Sequence, residues 1–141
     1  MAVEVAEPTG VRIAIVAEAD LILIRQTLRA AADRAGLGLV DQTRLITAGS
    51  ELGRNILTYA TDGRGRMEVE QVRSTSRVGV RAVFADDGPG IPDLELALTD
   101  GYSTAGSLGL GLPGARRLVD ELQVTSAPGS GTTVVIVKWG R

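Results

Sequence analysis

Cysteine and histidine are both absent from the 141-residue chain. Without cysteine there is no disulfide framework and no thiolate metal site. Without histidine the chain lacks the commonest general base, the commonest zinc ligand and any phosphohistidine chemistry. Lysine is nearly missing as well: Lys138 stands alone beside plentiful arginine. No segment approaches the about 18 consecutive apolar residues of a membrane span, so a membrane is not an expected partner. The N-terminus carries neither a charged nor an apolar leader region, and the expected compartment is the cytoplasm. A formal net charge of −2 lacks the basic face that nucleic acid demands.

What is present reads as one ordinary globular domain. Apolar residues make up 44% and charged residues 23%, which leaves disorder to the chain ends. Residues 1–9 hold two glutamates, a proline and no clear period, and are expected to form a flexible tail. Residues 10–141 are expected to form a single domain with one core. Of the 18 glycines, seven fall in two clusters, Gly88–Gly90 and Gly101–Gly114. Glycine gathers where backbone must turn sharply or approach a ligand closely.

The pattern along the chain predicts a strand over Val11–Ala17, then a helix capped by Asp20 that ends at Gly36. A second helix is predicted from Val40 to about Tyr59, with Asp41 as its N-cap and Leu45, Ala48, Leu52, Ile56 and Tyr59 along its apolar stripe. Met67–Arg73 and Val78–Asp86 read as a hairpin. A short helix is expected within Ile91–Leu98, and a polar loop over Asp100–Leu108. A third helix should run from Leu110 to about Leu122. Val124–Ala127 and Thr132–Trp139 close the chain as a second hairpin. Hairpins with helices between them predict an α+β fold: a two-layer sandwich whose mixed, mostly antiparallel sheet carries its helices on one face.

Four groups of residues could do chemistry. In the strand Val78–Asp86, alternation points Val80, Ala82, Phe84 and Asp86 to one face. Asp86 is then a carboxylate closing a core-facing row. It needs donors, which a ligand amino group or an ordinary turn could supply. Gly88 and Gly90 follow it and remove side chains where a planar ligand could lie; a tight turn explains them equally. Glu51 and Asn55 are four apart and share one helix face. Together they could hold one hydrated Mg²⁺, which prefers oxygen ligands, or they could simply face solvent. Gly106–Leu112 leads into a helix starting near Pro113, and free N–H groups at a helix start bind anions such as phosphate. Gly109, Gly111 and Gly114 fit G-x-G-x-x-G in letters, but no strand precedes them, so a dinucleotide site is rejected. Arg54 and Arg116 are further candidates for phosphate charge, or are solvated helix residues.

The ordered set is more specific than its parts. Glu51-x-x-x-Asn55 on a helix, Asp86-x-Gly88-x-Gly90 after a strand, Gly109-Leu110-Gly111-Leu112 before a helix and Gly131-Thr132 in a hairpin resemble the GHKL ATPase/kinase superfamily with its Bergerat fold. The resemblance covers nearly the whole chain. It implies ATP as cosubstrate and Mg²⁺ as its metal, held at Asn55. It also implies Glu51 as general base, Asp86 with Gly88 and Gly90 around adenine, Gly109, Leu110, Gly111 and Leu112 around the phosphates, and Thr132 on the adenine side. Within the superfamily, Ser50–Ile56, Asp86–Asp93, Asp100–Thr104, Gly109–Gly114 and Val137–Trp139 resemble the stressosome switch kinases. Such kinases phosphorylate serine or threonine on STAS-domain proteins of a partner-switching pathway. They then activate a phosphatase of the PP2C type. The alternative implied by less similar relatives is an anti-sigma factor that sequesters a sigma factor in a nucleotide-dependent way.

Overall fold

The structure, a computed structural model, describes residues 4–5, 10–59, 65–88, 111–126 and 129–140. The elements in chain order are β1 (Glu4–Val5), β2 (Val11–Ile15), α1 (Asp20–Arg34), α2 (Leu39–Tyr59), β3 (Gly65–Arg73), β4 (Val78–Asp86), α3 (Gly111–Leu118), β5 (Glu121–Ser126) and β6 (Thr132–Trp139). The expected short helix in Ile91–Leu98 and the loop Asp100–Leu108 lie outside the described residues.

All strand pairs are antiparallel, in the order β1-β3-β4-β6-β5, with β2 also on β3. Two residues of the N-terminal segment take part, Glu4 opposite Arg73 and Val5 opposite Val72. The register places Met67, Val69, Val80, Ala82, Phe84, Val134 and Ile136 on one face, all buried. The helices cover that face, giving the two-layer α+β sandwich that the sequence predicts.

Helix α1 forms because Leu21, Ile24, Leu28, Ala31 and Ala32 recur on one stripe, and all are buried. It ends where Gly36 takes a left-handed φ of 77°. The Leu37 N–H then donates to the Ala32 carbonyl and the Gly36 N–H to that of Asp33, which satisfies two terminal carbonyls. Asp20 works outward rather than along its helix. Its carboxylate accepts the Val16 and Ala17 N–H groups at 2.8 and 2.9 Å, and these two bonds, Ala17 first, hold its pKa below the usual carboxylate range.

Helix α2 lies across the sheet on small residues. A Cβ at Gly49 would fall 2.2 Å from Leu28 Cδ1, and one at Gly53 would fall 2.6 Å from Ile24 Cδ1. Those two glycines therefore set how closely α1 and α2 approach. The helix begins two residues before the predicted cap. Gln42 N donates to the Gly38 carbonyl, and Asp41 sits inside the first turn. Its carboxylate is needed elsewhere: Asp41 Oδ1 lies 3.3 Å from Lys138 Nζ.

Helix α3 is shorter than the sequence pattern predicts, stopping at Leu118 rather than Leu122. Asp120 N donates to the Val137 carbonyl, and residues from Glu121 onward pair with β6. Leu122, which completes the helical stripe in the sequence, is instead an inward strand residue opposite Ile136. Sheet pairing to β6 outweighs helical propensity over these few positions.

Candidate nucleotide site

The site is built at one end of β4. Asp86 follows Phe84 in the inward row, as alternation predicts, and is half-buried. Its cross-strand neighbours are Gly65 on β3 and Thr132 on β6. One carboxylate oxygen, Oδ1, accepts the Gly88 N–H at 2.8 Å, a short loop back to the chain two residues on. Gly88 is buried against this turn. The other side of the turn is closed by Gly131, whose φ is 76° and whose Cβ, if present, would fall 2.1 Å from the Asp86 carbonyl oxygen. Only glycine fits that contact in that conformation.

Thr132 continues the polar row. Its hydroxyl lies 2.9 Å from that of Ser126, the last residue of β5, and Ser126 Oγ also donates to the Gly131 carbonyl at 3.1 Å. Asp86, Thr132 and Ser126 thus form one inward-facing polar edge across three strands, all half-buried. Ser126 is not among the residues singled out from the sequence. Its place opposite Thr132 follows only once the hairpin register is known.

Helix α2 reaches over this edge. Gly49 lies over Phe84, a Cβ there falling 3.4 Å from Phe84 Cζ. Two turns on, Ile56 lies over Gly65, the strand neighbour of Asp86, with its Cγ2 2.2 Å from where a Gly65 Cβ would be. The helix therefore runs toward the Asp86 end of the sheet, and Glu51 and Asn55 lie on that stretch. Each is two residues from Gly53, hence roughly 200° round the helix from the flank that packs on α1. That turns both toward the flank where α3 packs. Both are half-buried, and among the described residues no side-chain hydrogen bond or ion pair occupies either.

Helix α3 opens with Gly111 at a φ of 48° and then buries Leu112, Pro113, Gly114 and Ala115. Pro113 in the first turn has no N–H to leave unpaired, so the donors at this end are Gly111, Leu112 and Gly114. Gly90, Gly109 and Leu110 lie outside the described residues. Arg54 does not face this cleft with Asn55: it pairs with Glu18 at 3.1 Å, just before α1. Arg116 is exposed.

The donor set suits a nucleotide with a divalent ion. Asp86 is acceptor-only when ionised and matches an exocyclic amine. Asn55 and Glu51 offer the hard oxygens that Mg²⁺ prefers. Among the described residues no three carboxylates converge, so phosphate oxygens and water would have to complete such an ion's shell.

Comparison with known proteins identifies the family and the fold. Residues 40–139 match the family described as histidine kinase-, DNA gyrase B- and HSP90-like ATPase. The chain is 46% identical over 127 residues to the serine/threonine-protein kinase RsbT of Bacillus subtilis, covering 90% of this chain and 94% of that one. The RsbU and RsbW domains of Rv1364c from Mycobacterium tuberculosis superpose with a TM-score of 0.65 at 23% identity, over 96% of this chain and 34% of that longer one. The mycobacterial sensor histidine kinase MprB superposes with a TM-score of 0.57 at 22% identity, over 94% and 99% of the two chains. These two solved structures speak to the fold.

Proposed function

The chain belongs to the histidine kinase-, DNA gyrase B- and HSP90-like ATPases, and from that premise we propose that it is an RsbT-like protein kinase that moves the γ-phosphoryl group of Mg²⁺–ATP to a serine or threonine of a STAS-domain protein. The observation that carries the reading is the inward Asp86 carboxylate, set between Gly88 and Thr132, with Ile56 of α2 lying over its strand neighbour Gly65.

Asp86 accepts the adenine amine, and Gly88 leaves room for the flat ring, a role the family resemblance extends to Gly90. Thr132 supports the same edge. Asn55 would hold Mg²⁺, and the ion would offset phosphate charge. The backbone N–H groups of Gly111 and Leu112 add to that at the start of α3, where the helix dipole favours anions, and the family resemblance gives Gly109 and Leu110 the same role. Glu51 takes the proton of the acceptor hydroxyl as its oxygen bonds to phosphorus, while the bond to the departing diphosphate breaks. Most catalysis in such transfers is positioning and electrostatics. The general base adds about 10²–10⁴-fold.

The role in the cell follows from the resemblance to switch kinases: the kinase acts in the cytoplasm on a scaffold or antagonist of a partner-switching pathway and then engages a PP2C-type phosphatase. None of the helices is long and apolar enough to cross a membrane among the described residues.

The test is transfer of labelled phosphate to a purified STAS protein. Glu51→Ala should keep ATP affinity within about twofold and lose transfer by about 10²–10⁴-fold. Transfer at the parental rate would remove Glu51 as the base. Capture of partners from lysate with and without ADP addresses the pathway: STAS proteins or a phosphatase support it, and a sigma factor alone contradicts it.

A further inference from the structure

Lys138 continues the inward row of β6 past Val134 and Ile136 and ends it on the side of the sheet away from Asp86. Its ammonium lies beside one carboxylate from each flanking helix. Asp41 Oδ1, in the first turn of α2, is 3.3 Å away. Asp120 Oδ1, two residues past the end of α3, is 3.5 Å away. Each carboxylate has a further interaction within the chain, and Lys138 is in contact with both. The ammonium is buried, so losing a partner there is costly. Asp120 is itself fixed: its N–H donates to the Val137 carbonyl, and its Oδ2 accepts the Trp139 N–H at 2.7 Å. Through Lys138 the start of α2 is thus tied to a fixed point at the end of α3.

We infer that Lys138 is a positioning residue for the metal side of the nucleotide site: with Asp41 and Asp120 it fixes the tilt of α2, and so where Asn55 stands relative to the start of α3. The inference rests on the nucleotide reading of this site. Helix α2 meets the sheet where Gly49 lies over Phe84. At 1.5 Å per residue, Asp41 is about 12 Å before that contact and Asn55 about 9 Å beyond it. A change of tilt at the Lys138 end therefore shows at Asn55. Gly111 and Leu112, which open α3 and are read as phosphate donors, belong to a helix whose far end is held through Asp120. The two sides of the phosphate site are thus set against each other by one buried cation. Mg²⁺ demands near-ideal octahedral geometry, so a metal shared between Asn55 and phosphate oxygens is sensitive to that setting. Asp86 and Thr132 sit on the sheet itself and do not depend on the tilt of α2.

The experiment is calorimetric titration of the full chain with ATP, once with Mg²⁺ and once with EDTA, and the quantity read is the ratio of the two affinities. In the parent Mg²⁺ should strengthen ATP binding. Asp41→Asn keeps an oxygen for the Lys138 ammonium and removes only the charge. It should lower the ratio by about tenfold, the low end of what losing an outer support costs a metal site, chiefly through weaker binding in Mg²⁺. Lys138→Met should lower it at least as far. Asn55→Ala should lose the gain from Mg²⁺ by itself, and adding Asp41→Asn to it should change the ratio no further, because both act through one ligand. A general loosening of the fold would weaken binding in both buffers and leave the ratio alone. A ratio within about twofold of the parent's in Asp41→Asn, or a further fall in the double variant, overturns the inference while ATP binding stands. ATP binding by the parent with no gain from Mg²⁺ overturns Asn55 as the metal ligand, and this inference with it. Absence of ATP binding by the parent in both buffers overturns the nucleotide reading itself.

Discussion

Strands β4 and β6 run side by side, and their two ends treat polar groups in opposite ways. At one end Lys138, with a side chain only 3% exposed, lies between Asp41 Oδ1 at 3.3 Å and Asp120 Oδ1 at 3.5 Å. Asp120 also accepts the Trp139 N–H at 2.7 Å, and the Trp139 indole N–H donates to Glu121 at 3.0 Å. Arg77 stacks over that indole, its guanidinium 5.1 Å from the ring centroid. The indole lies flat because Gly79 offers no Cβ beneath it. Every one of these charges is answered from within the chain. At the other end Asp86, Glu51 and Asn55 are half-buried, and the described residues supply one backbone N–H to Asp86 and no side-chain partner to the other two. The comparison teaches that burial of charge alone does not mark a site. What separates the ends is whether the partners are already in the protein.

Variants can break this contrast. The largest effect is expected at the closed end. Lys138→Met leaves Asp41 and Asp120 buried without their cation and should cost about 3–5 kcal/mol, read as a fall in the urea midpoint. Loss of less than about 1 kcal/mol would mean that the ion pairs at this end do not hold α2 to the α3–β5 connection. Asp86→Asn should be much milder for the free protein, within about 1 kcal/mol, because the amide oxygen still accepts the Gly88 N–H. A cost like that of Lys138→Met would make Asp86 a structural residue and erase the contrast.

Asp20 sharpens the comparison from the surface. Its carboxylate is satisfied, as at the closed end, but by backbone N–H groups in an exposed turn. Those donors lower its folded pKa below the unfolded value. Its contribution is therefore complete above the unfolded pKa, near pH 4, and is lost as pH falls through the folded value. Asp20→Asn should remove a small part of the fall in stability between pH 5 and about pH 2, checked by denaturation at several pH values. An identical pH profile in the variant would contradict the assignment.

Much of the fold could be read from local pattern. Alternation in Val78–Asp86 is enough to turn Asp86 inward, and the spacing of Glu51 and Asn55 is enough to put them on one helix face. Both depend only on the periods of strand and helix. Asp20, expected as a helix cap, is claimed locally by the Val16 and Ala17 N–H groups, but the other departures involve partners far away in the chain. Asp41 has the right chemistry for a helix cap, but a lysine on the last strand claims it. Leu122 fits a helical stripe, but pairing with Ile136 claims it. Ser126 is an unremarkable polar residue until the hairpin register sets it against Thr132. Tertiary pairing decides these cases, and no local window contains it.

The most direct test of the account is the thermal shift of the free protein on adding Mg²⁺–ATP, measured for the parent and for Asp86→Asn. At a hundredfold excess over the dissociation constant the parent should gain about 2.7 kcal/mol of stability, visible as a rise in Tm, and Asp86→Asn should gain almost none. An equal rise in both proteins would show that nucleotide binds without this carboxylate, and the open end of the sheet would not be the ATP site.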